Sequence, residues 1–438
     1  MVRFLARIFL AVSLLLPFPF ANAQETPISD EDRAFLEMIQ RDSFAYFRKF
    51  AHPATGLVSD SSSSGSPASI AATGFGCAAF AIAQKHGWIG YRDAYQTVDK
   101  IFRTLEMRAA NQNGFYYHFL DPPTGKRTWS SEASSIDTAL LMAGVLLAGE
   151  YFQNGDLKAR AEKLYEKVNW PWMLNGTEQM SHGWKPGRGF LPYYWDMYSE
   201  HLILLALAAG SPTHPVSKSV WDKWSRGKDE YNGRKIVYSY TGSLFTYQFP
   251  HAFIDFRKLR DQNIDYFENS KQATLANREF CIANQNLYPS YSENLWGLSA
   301  SLGPDGYKAY GAEPGIALHD GTVAPYTVAA SIVFTPRESL DMLRHIYDLY
   351  KNKIYGEYGF KDAFNLERNW WANDYLGIDE GVVILMLENY LNDGMVWKKF
   401  MQLPVIQRWI ETCRLLPKTT EQTLPASSPE TKTQPVLS

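Results

Sequence analysis

Carboxylates recur where apolar helical runs begin. Glu132 and Asp137 flank the start of one run, Glu200 precedes a second, Asp320 a third, and Asp379 with Glu380 opens a fourth. Acetal hydrolysis needs one acid to protonate the leaving oxygen and a second carboxylate to activate water or attack carbon, so acids gathered in an aromatic cleft suit glycoside cleavage. Taken singly, each acid also reads as a helix cap or dipole partner worth about 0.3–1 kcal/mol. Glu200 and Asp137 are the leading pair, with Glu293, Glu313 and Asp379 as further candidates for the partner. Trp129, Tyr194, Trp195, Tyr198, Trp296, Trp370 and Trp371 fall in loops or near helix starts, where flat faces can stack on sugar rings. Roughly half of them are expected to fill the core instead. With Glu132, His251 and Asp320 they form the candidate substrate-binding set. His182, His201, His251 and His319 lack the i, i+4 pairing of a metal helix, which favours hydrogen-bonding roles over ligation. Nor do Cys77, Cys281 and Cys413 have metal-ligand spacing. No nucleophile elbow, P-loop or dinucleotide fingerprint stands in a suitable setting, so neither metal nor organic cofactor is expected.

Apolar residues recur at helical spacing almost throughout, which predicts an all-α chain. Two kinds of helix take turns. Asp30 to Phe50, Tyr91 to Arg108, Leu157 to Val168 and Arg337 to Lys351 are amphipathic and charged, as an outer solvated layer requires. Ala68 to Ala83, Ser135 to Ala148, Ser199 to Ala209, Leu244 to Phe256, Gly321 to Phe334 and Gly377 to Tyr390 are apolar or small on nearly all sides and must be buried. Six inner and six outer helices would make an (α/α)6 toroid, with the inner N-terminal ends meeting at one rim. The polar, aromatic loops entering the second and third inner helices, Arg127 to Glu132 and Tyr193 to Tyr198, place any ligand site there.

Arg3 and Arg7, the apolar Ile8 to Phe20 and the small Ala21-Asn22-Ala23 read as a secretory signal over residues 1–23, implying a periplasmic or secreted protein with no membrane span after cleavage. Residues 24–416 read as a single domain, and residues 417–438, rich in Thr, Ser, Pro and Gln, as a disordered tail. Lys and Arg total 43 against 46 Asp and Glu, and losing Arg3 and Arg7 moves the net charge from −3 to about −5, which argues against nucleic acid as a partner. With no coiled-coil heptad visible, a monomer acting on an oligo- or polysaccharide is expected.

Several segments are familiar as a set: Ser69 to Gly76, Ile136 to Leu141, Tyr193 to His201, Gly210 to Pro215, Asp265 to Ser270, Gly303 to Tyr307, Asp320 to Pro325 and Phe364 to Leu366. In this order, from about Asp32 to Trp409, the chain resembles the glycoamylase-like family, particularly glycoside hydrolase family 144. The resemblance implies an (α/α)6 toroid and cofactor-free action on β-1,2-glucan, cleaving internally or releasing sophorose. It also marks Glu200 and Asp137 as the functional carboxylates, in a wide inverting geometry, with acid and base unassigned between them. A polysaccharide lyase, a cyclising glucan transglycosylase and a noncatalytic glycan-binding protein are the competing readings.

Overall fold

The computed structural model describes residues 28–153 and 156–418. The signal expected over residues 1–23 and all but the start of the expected tail lie outside them. The helices, in order, are α1 (Asp30–Phe50), α2 (Ile70–Lys85), α3 (Tyr91–Met107), α4 (Ser135–Tyr151), α5 (Leu157–Glu166), α6 (His201–Gly210) and α7 (Lys218–Lys223). There follow α8 (Phe245–Phe253), α9 (Tyr266–Ala283), α10 (Pro325–Ala330), α11 (Pro336–Ile354), α12 (Gly377–Leu391), α13 (Met395–Met401) and α14 (Pro404–Cys413). No helix among the described residues is long and apolar enough to cross a membrane.

The even-numbered helices from α2 to α12 are the apolar ones. Each packs on the next, and α12 returns to α2, so the six close a ring. Small residues set the closest approach: a Cβ on Gly144 of α4 would stand 1.8 Å from the carbonyl oxygen of Gly74 on α2, so only glycine lets these backbones meet. Amphipathic helices cover the ring from outside. α1 lies against α12 and α2, α3 against α2, α5 against α4, α9 against α8, and α11 against α10. The outer face of α6 is covered from the far end of the chain, by α14. At the C-terminal ends of the ring α13 acts as a plug: Trp397 Nε1 donates to the His251 carbonyl at 2.5 Å, Phe400 packs on Phe253, and Lys399 lies over the Tyr151 ring.

Local signals explain the helix limits. Ser29, Ser69 and Ser134 each accept a backbone N–H as N-caps, and α1 carries Asp30, Glu31 and Asp32 in its first turn and Arg48 and Lys49 in its last, as the helix dipole favours. Two inner helices are shorter than expected. α10 starts at Pro325, a residue suited to the first helical position, while Val323 before it exchanges backbone hydrogen bonds with Phe364. α8 ends at Phe253, after an internal Pro250 that has no N–H to donate.

Short antiparallel pairs stitch the rim where the inner helices begin, Ala68–Ser69 with Phe119–Leu120 and Ala133–Ser134 with Gly183–Lys185. At two or three residues each they are too brief to show a sequence period. The body also runs slightly past the expected boundary: Leu416–Pro417 pairs with Leu259–Arg260, and Lys418 reaches Asp265 at 2.5 Å, because a paired backbone and an ion pair offset the cost of ordering those residues.

Candidate active site

A cavity of about 570 Å³ opens at the N-terminal ends of the ring. Its wall includes Ala71 of α2, Ile136, Asp137 and Leu140 of α4, Phe245 and Phe249 of α8, and Ile378 of α12, together with Glu200 at the start of α6. Loops supply Asp60, Ser61, Ser63, His118, Phe119, Trp129, Leu302, Tyr307 and Asp374. The two leading carboxylates are therefore brought to one space by two adjacent helices.

Glu200 is the last residue before α6, and only 9% of it is exposed. Burial pushes its carboxyl up to about 7, with its own backbone N–H opposing and the charge of Asp137 adding to the rise. Asp137 occupies the first turn of α4. Ser134 Oγ donates to its Oδ2 at 2.5 Å and accepts its backbone N–H at 3.2 Å, so this acid does take part in a cap. Its Oδ1 stays on the cavity side, 3.6 Å from His118 Nε2. Cap and cleft are thus compatible in one side chain.

His118 ties the wall together. Its Nδ1 lies 3.1 Å from Glu132 Oε1 and its ring stacks on Phe119 at 3.9 Å. Burial works against the imidazolium, but the charge of Asp137, the hydrogen bond and charge of Glu132, and the charge of Asp60 outweigh it and raise His118 to about 9. Glu132 falls to about 2, chiefly through the hydrogen bond with His118. Glu132 therefore acts on the cavity through His118, which lines it. The trio His118, Glu132 and Asp137 is also close enough to surround a cation, and a protonated His118 already balances much of the carboxylate charge.

Asp60 is driven up to about 6 by burial, with His118 lowering and Asp137 raising it. Beneath the rim, Asp362 is raised to about 7 by burial, and Asp379 lies well above its usual range through burial and then the neighbouring Asp362. Asp362 and Asp379 are buried together and hydrogen-bond side chain to side chain, which the raised, protonated carboxyl permits. Sequence reasoning missed Asp60, His118, Tyr307 and Asp374, all of which line the cavity. Asp60 and Asp374 do precede inner-helix starts, a signal that could have found them.

Trp129 stands at the cavity mouth, 65% exposed, tilted on Phe119 at 5.1 Å. It and Ser130 form the centre of a tight turn at φ 52° and 50°, closed by Ser131 N–H to the Thr128 carbonyl at 3.1 Å. A bulky side chain rarely adopts this left-handed backbone, and such strain gathers at binding sites.

Other predicted residues lie elsewhere. Trp195 donates to Ser135 Oγ at 2.9 Å and stacks between His182 and His201, so it braces the start of α4 without lining the cavity. Tyr194 is partly exposed outside the lining. Tyr198 and His251 are buried on opposite sides of Ser270, at 3.2 and 2.9 Å, and burial pushes His251 down to about 3. Trp296 is fully buried, which makes it a core residue. Trp371 stacks on Phe364 within the hairpin that also carries Trp370. Asp320 caps Thr322 and accepts from Tyr310. Glu293 is exposed and pairs with Arg278, Glu313 is exposed on a loop, and Asp379 lies buried behind the wall. Glu293 and Glu313 lie away from the cavity, held by an ion pair or by solvent, whereas Asp379, buried at its helix start, is within electrostatic reach of the cavity residues Asp60 and Tyr307.

The glycoamylase family model matches residues 192–404, a stretch beginning just before Glu200. A curated relative from Parabacteroides distasonis, named an exo β-1,2-glucooligosaccharide sophorohydrolase acting at the non-reducing end, is 29% identical over 89% of this chain. The chain spans 59% of that relative's length. Among solved structures, a glucoamylase-like protein from Bacteroides uniformis is 32% identical, with 90% of this chain and 99% of that one covered and a TM-score of 0.84. An endo-β-1,2-glucanase from Chitinophaga pinensis, solved with sophorotriose and glucose, is 29% identical with a TM-score of 0.83, over 89% of this chain and 99% of that one. Covering nearly all of a 32%-identical relative and matching the family model across the segment that bears Glu200, the chain belongs to the glycoamylase-like family.

Proposed function

We propose that the protein is a β-1,2-glucan hydrolase on an (α/α)6 toroid, with Glu200 as general acid and Asp137 as the base-side carboxylate. The observation that carries this reading is the unlike setting of two acids in one cavity. Glu200, buried and raised to about 7, holds a proton about half the time at pH 7, where an ordinary carboxyl would have lost it, whereas Asp137 faces the His118 imidazolium. Separated environments of this kind divide a carboxyl pair into donor and acceptor. In the proposed reaction Glu200 gives its proton to the glycosidic oxygen as the C–O bond breaks. Asp137 takes a proton from a water molecule that attacks the anomeric carbon from the opposite face, inverting its configuration. Trp129 offers a flat face for a sugar ring at the mouth. The linkage rests on the names of the Parabacteroides and Chitinophaga relatives, which together support internal cleavage or release of sophorose.

The test is a product profile on linear β-1,2-glucan beside starch and β-1,3-glucan. Sophorose or longer β-1,2-linked fragments should appear from the first substrate alone, with a matching rise in reducing ends. Hydrolysis of starch alone, or an unsaturated ultraviolet-absorbing product, would sink the proposal.

A further inference from the structure

The hairpin that carries Tyr307 hangs over the same cavity and takes no part in the pair just described. Ala300–Ser301 pairs with Lys308–Ala309, and the intervening turn is closed twice, by Gly303 N–H to the Gly306 carbonyl at 2.9 Å and the reverse bond at 3.1 Å. Gly306 adopts φ 98°, a backbone only glycine takes without strain, and this directs the next residue. The hairpin is fastened from three sides. Leu302 N–H donates to buried Asp362 Oδ2 at 2.6 Å, and Arg368 grips both oxygens of Asp305 at 3.1 and 3.2 Å. Gly303 lies so close to the Tyr310 ring that a Cβ would stand 2.1 Å from its hydroxyl.

Tyr307 is an odd side chain for such a rigid tip. It is 55% exposed, yet it lines the cavity, and its hydroxyl end is deep enough to feel, after burial itself, the charges of Asp379, Asp362, Asp60 and Glu200. The residue is open overall, and its hydroxyl lies within electrostatic reach of four carboxylates. All these influences raise the phenol well above its usual range, so it remains a donor. No protein group among the described residues accepts from it. A fixed donor without a protein acceptor, aimed among carboxylates, fits a ligand that brings its own acceptors.

We infer that Tyr307 is a substrate-contacting residue, whose hydroxyl donates to a sugar oxygen of the unit held beside Glu200, and that Asp362 is a positioning residue that fixes its height through Leu302. This inference rests on the glucan-hydrolase reading of the site. It adds a specificity element on the wall formed by residues 300–309. Polyols with a correctly placed oxygen satisfy the donor, while a substrate lacking it leaves a phenol unpaired in an enclosed space.

The experiment compares wild type, Tyr307→Phe and Asp362→Asn on linear β-1,2-glucan, with the binding of β-1,2-gluco-oligosaccharides followed by calorimetry in a Glu200→Gln background. Tyr307→Phe keeps the ring and should lower kcat/KM by roughly tenfold, the effect of one neutral hydrogen bond, with unchanged thermal stability. Oligosaccharide affinity in the Glu200→Gln background should fall in parallel. Asp362→Asn should produce part of the same loss, and adding it to Tyr307→Phe should cost little more, because both act through one hydroxyl. Equal kcat/KM and equal affinity in wild type and Tyr307→Phe would overturn the inference while leaving the hydrolase reading intact. No cleavage by wild type would overturn that reading first, and binding would then be measured on starch and β-1,3-glucan fragments, where an unchanged affinity in Tyr307→Phe would overturn the inference as well.

Discussion

The two ends of the helical ring bury carboxylates in opposite ways. At the C-terminal end Glu388 of α12 is fully enclosed, but Lys85 reaches it at 2.6 Å, His86 at 2.7 Å, Asn392 at 2.8 Å and Gln40 at 3.1 Å. Burial opposes its charge, and the hydrogen bonds and charges of His86 and Lys85 more than offset this, holding the carboxyl below its usual range. At the N-terminal end Glu200 has no cation against it among the described residues and is raised to about 7, while Asp362 and Asp379 have mainly each other as side-chain partners and are both raised. One fold thus surrounds the acid at the plugged end with cations and amides and leaves Glu200 at the open end without a cation. A buried acid becomes a proton donor only where partners are left out.

The largest expected effect lies at the open end. Glu200→Gln should cut hydrolysis by about 10²- to 10⁴-fold, since general acid catalysis is typically worth that much, while the variant stays folded and oligosaccharide binding holds. Asp137→Asn should bring a comparable loss, and near-wild-type turnover in either variant would remove that acid from the mechanism. At the plugged end the effect should fall on stability instead. Glu388→Ala strands Lys85 and His86, and because both retain some solvent access the cost should lie near the lower end for a broken buried pair, about 3 kcal/mol by denaturant titration. Intact kcat in the folded fraction would keep the two ends distinct, and a selective loss of kcat would merge them.

Acidity gives a subtler contrast, of opposite sign at each end. The proton on Glu200 is held up to about pH 7 in the folded state, against 4.5 for the ordinary carboxyl. Its contribution to stability is therefore fully present below about 4.5 and lost as pH rises through about 7. For Glu388 the carboxyl is depressed, so its contribution is present above the ordinary value and lost as pH falls through the folded one. Melting curves at about pH 5 and 8 should show Glu200→Gln gaining on wild type as pH rises, with wild-type activity also declining above about 7. A Glu200→Gln profile parallel to wild type would remove the donor assignment. Smallest of all, Trp129→Gly should weaken glucan binding by about 3- to 10-fold through lost stacking. It should also raise stability by up to about 1 kcal/mol, because glycine relieves the left-handed backbone. A fall in both would make Trp129 a structural residue.

Much of this was legible in sequence because burial leaves a simple mark. A helix without a polar face, such as Ser135 to Ala148, has to be inside, and all six such runs lie in the ring. Glu200, Asp137 and Trp129 were readable from their places before or within those helix starts. The cavity's remaining polar groups were not, since His118 and Tyr307 stand one residue before strand pairs of two residues that show no periodicity. Trp296 and Tyr198 misled for a related reason: loop position suggests exposure, but a loop folded back on the ring buries large aromatics as fully as a helix does. Nothing local in Pro404–Cys413 told that it would cover a helix 200 residues earlier.

That long-range cover has a consequence for the order in which the molecule is completed. Gly210, at the end of α6, lies so close to α14 that a Cβ would stand 2.0 Å from the Val405 carbonyl oxygen, and Arg408 Nε donates to the Gly210 carbonyl at 2.8 Å. During synthesis, the part of α6 that α14 covers therefore stays open until almost the whole body has emerged. Contacts so distant in sequence form late, after the loop between them has closed. The helix that begins beside Glu200 is thus closed on its outer face only when the end of the body folds back over it.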